Sequence, residues 1–349
     1  MRDVTGYYIS GSFQQRSILV KKFTKFKDNG ESSYAVNDIV VTVLMNNHKN
    51  VLKILGCCLD LEIPAIIYEI ENNYELLYDI LIRRTKDGNF WNNIGRSLSW
   101  SNRLKIARDV ANALVYLHTA FLTPIIHRGM TARRIVIDNN GVAKLVDFSV
   151  SVTLPPGESQ VEVKLPSKLR YYEPDYVATG IITEKTDVFS MGIILLQLLT
   201  ALDFWFQHTE GPENIVEYIQ NHVDKNELSK ILDPIILEES GEIEHQLQAL
   251  LRLALRCTAE RGADRPDIID VAKELVRIQR NYEVQVLPIV NSDHNPLFIN
   301  CCSGYSNRGF CPPKLFRYEV VWSRKQECKD LIERAWSIPR GAEQAISSV

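Results

Sequence analysis

Between Ile126 and Ser149 the sequence reads IHRGMTARRIVIDNNGVAKLVDFS, and this stretch constrains the chain more than any other. A basic loop, His127 to Arg134, leads into a β-branched run, Ile135-Val136-Ile137. A polar turn, Asp138-Asn139-Asn140-Gly141, follows, and a second apolar run, Ala143 to Val146, ends on Asp147-Phe148. Asn-Gly between two short apolar runs predicts a β-hairpin. Much of the remaining chain reads as support for this unit. From Asn102 to His118, Leu104, Ala107, Val110, Ala111, Leu114 and Leu117 recur at helical spacing, with Arg103, Lys105, Arg108 and Asn112 as the polar face. Asp187 to Leu202 is apolar almost all round, which predicts a buried central helix.

The first 70 residues have a different texture. Tyr7-Tyr8-Ile9, a turn around Gly11, and Ser17 to Phe23 predict two antiparallel strands rich in aromatic and β-branched residues. Asn37 to Met45 predicts a helix, closed by Asn47-His48-Lys49-Asn50, and Val51 to Leu55 and Ile66 to Ile70 predict further strands. The expected architecture is therefore α+β and two-lobed: a small β-rich lobe over residues 1–70, a mainly helical lobe over 71–283, and a tail over 284–349 of different character, expected to be poorly ordered. A chain of 349 residues with 45% hydrophobic and 24% charged residues can bury such cores. Its net charge of -3 gives no long-range field for nucleic acid or an anionic membrane. No apolar signal core and no run of about 18 apolar residues is present, and Arg2 stands where N-myristoylation needs glycine. Seven cysteines, an odd number without a secretory signal, predict reduced thiols in a cytoplasmic setting.

The order of parts in the 126–149 stretch resembles the catalytic core of protein kinases, H-R-D-L-x-x-x-N followed by D-F-G, and departs from it at the residues that do chemistry. Beyond His127 and Arg128, Gly129 stands for the catalytic Asp, Thr131 for a Lys, Arg134 for the metal-binding Asn and Ser149 for the closing Gly, while Asp147 and Phe148 remain. Glycine has no group to accept a proton. A guanidinium ligates no cation and adds positive charge where a metal would sit. Losing a general base alone costs about 100- to 10,000-fold in rate. Ile18-Leu19-Val20-Lys21 resembles the kinase V-A-I-K strand, which implies that Lys21 is the phosphate-binding lysine and that Leu19 replaces the alanine that packs on adenine. Only Gly6 and Gly11 remain of a glycine-rich loop, and the chain begins where the first strand of the family is expected to be running. Asp38 takes the place of the helix Glu that pairs with the lysine. It is one methylene shorter, so the pair is expected to stay open unless the helix moves closer. Tyr68 takes the gatekeeper place and Glu69 the hinge, so Lys21, Asp38, Glu69 and Asp147 form a vestigial nucleotide site.

LKILGCCLDLEIPAIIYEI, SWSNRLKIARDVANALVYLHTAF and TEKTDVFSMGIILLQLLT are similar to plant receptor-like cytoplasmic kinases, and most to the ZRK-type, HopZ-ETI-deficient-like pseudokinases. The resemblance implies that Asp187 holds the catalytic-loop backbone and that Arg265 pairs with Asp175 in a Glu173-Pro174-Asp175 element. It implies no catalysis, no cofactor beyond weak binding of ATP and magnesium, and no metal site. It also implies adaptor or decoy partners: a coiled-coil NLR immune receptor, other receptor-like cytoplasmic kinases and pathogen effectors, with no nucleic acid and no transmembrane segment. The expected location is the cytoplasm, with peripheral plasma-membrane attachment left open. The competing reading is a residual serine/threonine kinase using Lys21 and Asp147, and a third is the product of a transposon-disrupted gene. Ser149 to Tyr172 corresponds to the activation loop, a mobile surface excursion offering Ser151, Thr153, Ser159 and Ser167, near a cation cluster of Arg128, Arg133 and Arg134. A pairing of Arg134 with Asp147 is expected, because Asp147 would otherwise be an unpaired carboxylate in a half-closed cleft. The tail resembles a non-LTR retroelement polyprotein at Ser292, Asp293, His294 and Pro296 and at Phe316, Arg317, Tyr318, Glu319 and Trp322. It predicts one helix over Lys325–Trp336. Its cysteines, Cys301, Cys302, Cys311 and Cys328, lack the CxxC spacing of a zinc site.

Overall fold

The computed structural model describes residues 6–13, 15–23, 31–58, 64–70, 74–82, 98–164, 173–208, 211–239, 243–280, 283–286 and 297–300. The chain divides into two units, 1–279 and 280–349. In the first, strands β1 (Gly6–Phe13) and β2 (Arg16–Phe23) precede helix α1 (Glu31–Leu44), β3 (Ile54–Cys58) and β4 (Ala65–Glu69). The strands form one antiparallel sheet in the order β1-β2-β4-β3. β1 runs straight through Gly11, which pairs with Ile18. The expected turn at Gly11 is instead four residues further on, where Gln15 carries a positive φ of 63°.

The larger lobe begins with β5 (Glu75–Leu76) and α2 (Leu77–Leu81), then α3 (Trp100–Thr119), which is capped by the Ser99 side chain accepting from Asn102 N–H. β6 (Ile125–Ile126), β7 (Ile135–Ile137) and β8 (Ala143–Leu145) follow. β7 and β8 are the predicted hairpin, and Asp138 Oδ1 accepts from the N–H groups of Asn140 and Val142 at 2.9 Å each while Gly141 supplies the φ of 67° that closes the turn. β9 (Val152–Thr153), β10 (Gln160–Glu162), α4 (Pro174–Thr179) and β11 (Ile181–Thr183) lead to α5 (Glu184–Thr200), which opens on a capping box between Thr183 and Thr186. α5 is buried on all sides, as its sequence predicts. Gly192 lies so close to the helix Glu244–Cys257 that a Cβ would come within 2.6 Å of Thr258 Cγ2.

The apolar face of α3 is buried as its period predicts, but Arg103 is not on a solvent face. It is 1% exposed, and its guanidinium donates to Leu98 O at 2.9 Å, to Leu198 O at 2.7 Å and to the Asp233 carboxylate. A buried cation with three acceptors satisfies the requirement that such groups be paired. The 149–172 segment also departs from expectation. β9 pairs with β6, β10 pairs with β11, and Ser151 is buried and donates to Phe148 O at 2.6 Å, so the described part of this segment, up to 164, is held at two points rather than a free excursion. Ser167 lies outside the described residues. No described helix is long and apolar enough to cross a membrane. Of the second unit, an antiparallel pair, Glu283–Val286 with Leu297–Asn300, is described. The helix expected at 325–336, the retroelement-like residues at 292–296 and 316–322, and the tail cysteines lie outside the described residues.

Arg265 is 2% exposed, but its carboxylate partner is Glu173, at 2.5 Å, and not Asp175. Glu173 caps α4, accepting from Tyr176 N–H, which turns its carboxylate inward; Asp175 accepts instead from Gly262 N–H. Removing one member of a buried pair leaves the other charge uncompensated, at about 3–5 kcal/mol. Arg265→Ala should therefore lose several kcal/mol in urea unfolding, and Asp175→Ala distinctly less. Equal losses would place the pair on the wrong carboxylate.

Candidate functional site

Four charged side chains meet where the small sheet faces the hairpin. Lys21 Nζ, from β2, lies 2.6 Å from Asp38 Oδ2 on α1 and 2.6 Å from Asp147 Oδ1 just beyond β8. Arg134 Nε, at the mouth of β7, lies 3.2 Å from Asp147 Oδ2. Lys21, Asp38 and Asp147 are 0% exposed and Arg134 is 2% exposed. Two cations and two carboxylates make the group neutral, which is what allows it to be buried. The remaining lone pairs are also used. Asp38 Oδ1 accepts from Phe148 N–H at 2.8 Å and from Thr42 Oγ1 at 3.2 Å. Ser149, standing for the family glycine, donates its hydroxyl to Asp147 Oδ1 at 2.5 Å and its N–H at 3.2 Å. Burial pushes the Asp38 carboxyl up from its ordinary range, against the opposing pull of Lys21. Of the two outcomes expected for the Lys21–Asp38 pair, a closer helix or an open pair, the structure shows the first: the pair is closed at 2.6 Å, with Ala35 of α1 fully buried.

Gly129 and Arg134 are one structural unit. Arg134 Nη1 donates to Gly129 O at 2.9 Å, and a Cβ at position 129 would overlap Nη1 itself and come within 2.7 Å of Val150 Cγ2. The arginine thus occupies the space that a side chain at 129 would need. Asp187 accepts from His127 N–H at 2.7 Å, from Arg128 N–H at 2.8 Å and lies 2.9 Å from His118 Nε2, fixing the loop backbone. Arg128, at a φ of 64°, reaches the Tyr176 hydroxyl and Lys164 O. The Arg133 guanidinium lies over the Tyr78 ring at 3.3 Å. The three arginines are therefore engaged separately and make no shared anion site. Thr131 uses its carbonyl, to Arg134 N–H, and its side chain makes no cap. Glu69 is not brought to the site. β4 alternates, so Tyr68 points inward, 0% exposed, and Glu69 points out to Lys53 at 3.1 Å.

Three contributors were missed in the sequence: Asn37, whose partners are distant in the chain, and Phe23 and Tyr8, which strand period and hairpin register place on the face of Lys21. Asn37, beside Asp38, donates its carboxamide to Phe148 O, Ser149 O and Ser151 O at 3.0, 3.1 and 2.9 Å. Phe23 and Tyr8 place their rings 4.5 and 5.7 Å from Lys21 Nζ. Above the charges, Tyr8, Leu19, Tyr68, Ile70, Leu76, Val136 and Val146 belong to one buried cluster drawn from both lobes.

These features sit on a recognisable chain. The sequence matches the protein tyrosine and serine/threonine kinase family over residues 4–275. The chain belongs to the protein kinase family. It is 35% identical over 285 residues to serine/threonine-protein kinase ZRK1 of Arabidopsis thaliana, covering 80% of this chain and 79% of that protein. It is 34% identical to the non-functional pseudokinase ZED1 of the same organism, covering 79% and 82%. Wall-associated receptor kinase 5, also of Arabidopsis thaliana, is 34% identical over 271 residues, and there the chain spans 35% of the relative's length. This is a ZRK-type kinase-like protein with the two-lobed kinase fold.

Two measurements follow. Gly129→Ala should destabilise by about 1–3 kcal/mol through overpacking, and much less when introduced into Arg134→Ala; a double-mutant cycle with no coupling would separate the two positions. His127, fully buried with neither ring nitrogen hydrogen-bonded, packs on Phe148 at 5.1 Å, and burial lowers its pKa to about 4. Its unfolded form binds a proton that the folded form refuses, so stability is full above about pH 6.5 and falls by up to about 1.4 kcal/mol per unit as the pH drops toward 4. His127→Phe should flatten that slope in unfolding curves taken at pH 7 and pH 5.

Proposed function

We propose that this kinase-like scaffold transfers no phosphate and works in the cytoplasm as an adaptor or decoy, docking on a coiled-coil NLR immune receptor and presenting a kinase surface to pathogen effectors. The observation that carries the first half is the state of Asp147: one carboxylate oxygen is taken by Lys21 and Ser149, the other by Arg134. Phosphoryl transfer needs this Asp and an Asn on magnesium, a Lys on the phosphates and a carboxylate at the nucleophile. Here the Lys and the Asp neutralise each other, a guanidinium replaces the Asn, and position 129 has no side chain. The residues do not fit magnesium nucleotide. A divalent cation would meet Arg134 beside Asp147, and the buried Leu19 and Tyr68 stand at the places that the kinase resemblance gives to the adenine-packing alanine and the gatekeeper, where their bulk crowds the base. The name of ZED1 as a non-functional pseudokinase supports this half. The receptor and effectors follow from resemblance in the LGCCL, YLHTAF and catalytic-loop motifs.

A second reading, a weak serine/threonine kinase, has one observation in its favour. The closed Lys21–Asp38 pair and Phe148 packed on His127 preserve the inward helix arrangement that phosphotransfer requires, and ZRK1 carries a kinase name. Titration calorimetry with ATP and magnesium to millimolar concentration decides between them. The scaffold reading expects no saturable heat from the wild type. It also expects no γ-phosphate transfer from Gly129→Asp/Arg134→Asn, because the base space stays filled. Saturable binding with transfer by either protein would establish the kinase.

A further inference from the structure

A cavity of about 330 Å³ opens behind the hinge, within the range of small-molecule sites. None of Lys21, Asp38, Arg134 or Asp147 lines it, nor do Leu19 and Tyr68, so it is separate from the degraded nucleotide site. Its floor is Leu52, Ile70 and Val136, at 3%, 8% and 1% exposure. Its rim carries three cations: Arg16 and Lys53 from the small lobe and Lys144 from the hairpin. The walls therefore belong to both lobes, joined across the hinge at Glu69 and Tyr74.

The charge arrangement on that rim is specific. Glu69 holds two of the cations side by side, Lys53 Nζ at 3.1 Å from Oε2 and Arg16 Nη1 at 3.9 Å from Oε1, leaving a net positive charge. Asp138 lies 3.4 Å from Lys144, and its Oδ1 is already taken by two backbone N–H groups of the turn. Three cations thus share two carboxylates, a net charge of one positive, above an apolar floor. The geometry points to a binding site for a small anion with an apolar body, a carboxylate or phosphate monoester on a ring, its charge between Lys53, Arg16 and Lys144 and its ring on Leu52, Ile70 and Val136. Because the walls come from both lobes, such a ligand would bind the closed arrangement and stabilise it.

The test is calorimetry on the full chain with phenyl phosphate and with phenylacetate, up to tens of millimolar. Saturable one-to-one binding by either probe is expected, and the stronger of the two identifies the anion. Lys53→Met/Lys144→Met should weaken it by about tenfold or more. Lys49→Met, which removes an exposed cation outside the cavity, should leave it unchanged, and benzyl alcohol should bind about tenfold more weakly than the anions. The double substitution removes partly or largely exposed side chains, and an unchanged melting curve confirms that it folds. No saturable heat, equal affinity in the double variant, or displacement of the probe by ATP and magnesium would overturn the assignment. Binding of ATP without displacement would sink the expectation that the nucleotide site stays empty and leave this site standing.

Discussion

Four opposite charges buried as a neutral set hold this molecule together at its centre. Each of Lys21, Asp38, Arg134 and Asp147 would be costly alone in a site with almost no exposure to water, and only their mutual pairing makes the site tenable. Because the members come from β2, from α1, from the loop before β7 and from the second residue after β8, satisfying the charges fixes the small sheet, the helix and the hairpin relative to one another. A catalytic kinase uses the same places to hold a substrate and its metals. Here the protein supplies its own counter-ions, and the geometry is closed without help.

Gly129 and Arg134 are coupled in space. Arg134 reaches back over Gly129, bonds its carbonyl and fills its missing volume, so the loop of 127–134 is close-packed rather than eroded.

How much of this was legible in the sequence differs element by element. The hairpin and α5 were readable because local rules dominate there: an Asx turn with a glycine at positive φ, and a helix with no polar face. The Arg134–Asp147 contact was readable because a carboxylate without its metal needs a cation. Arg103 was misread because helical periodicity assigns faces and not partners, and its acceptors Leu198 and Asp233 lie far along the chain. Arg265 was given to Asp175 by motif position, whereas the capping geometry of α4 turns Glu173 inward. For Asp38, side-chain length left two outcomes, a closer helix or an open pair, and does not say where α1 settles. In each case the missing information was a long-range packing distance.

Asn37 holds Phe148, Ser149 and Ser151 by their backbone carbonyls alone. A grip on the main chain is indifferent to the side chains that the segment carries. The tie between α1 and this segment can therefore outlast changes in the side chains at these three positions, because none of them takes part in it.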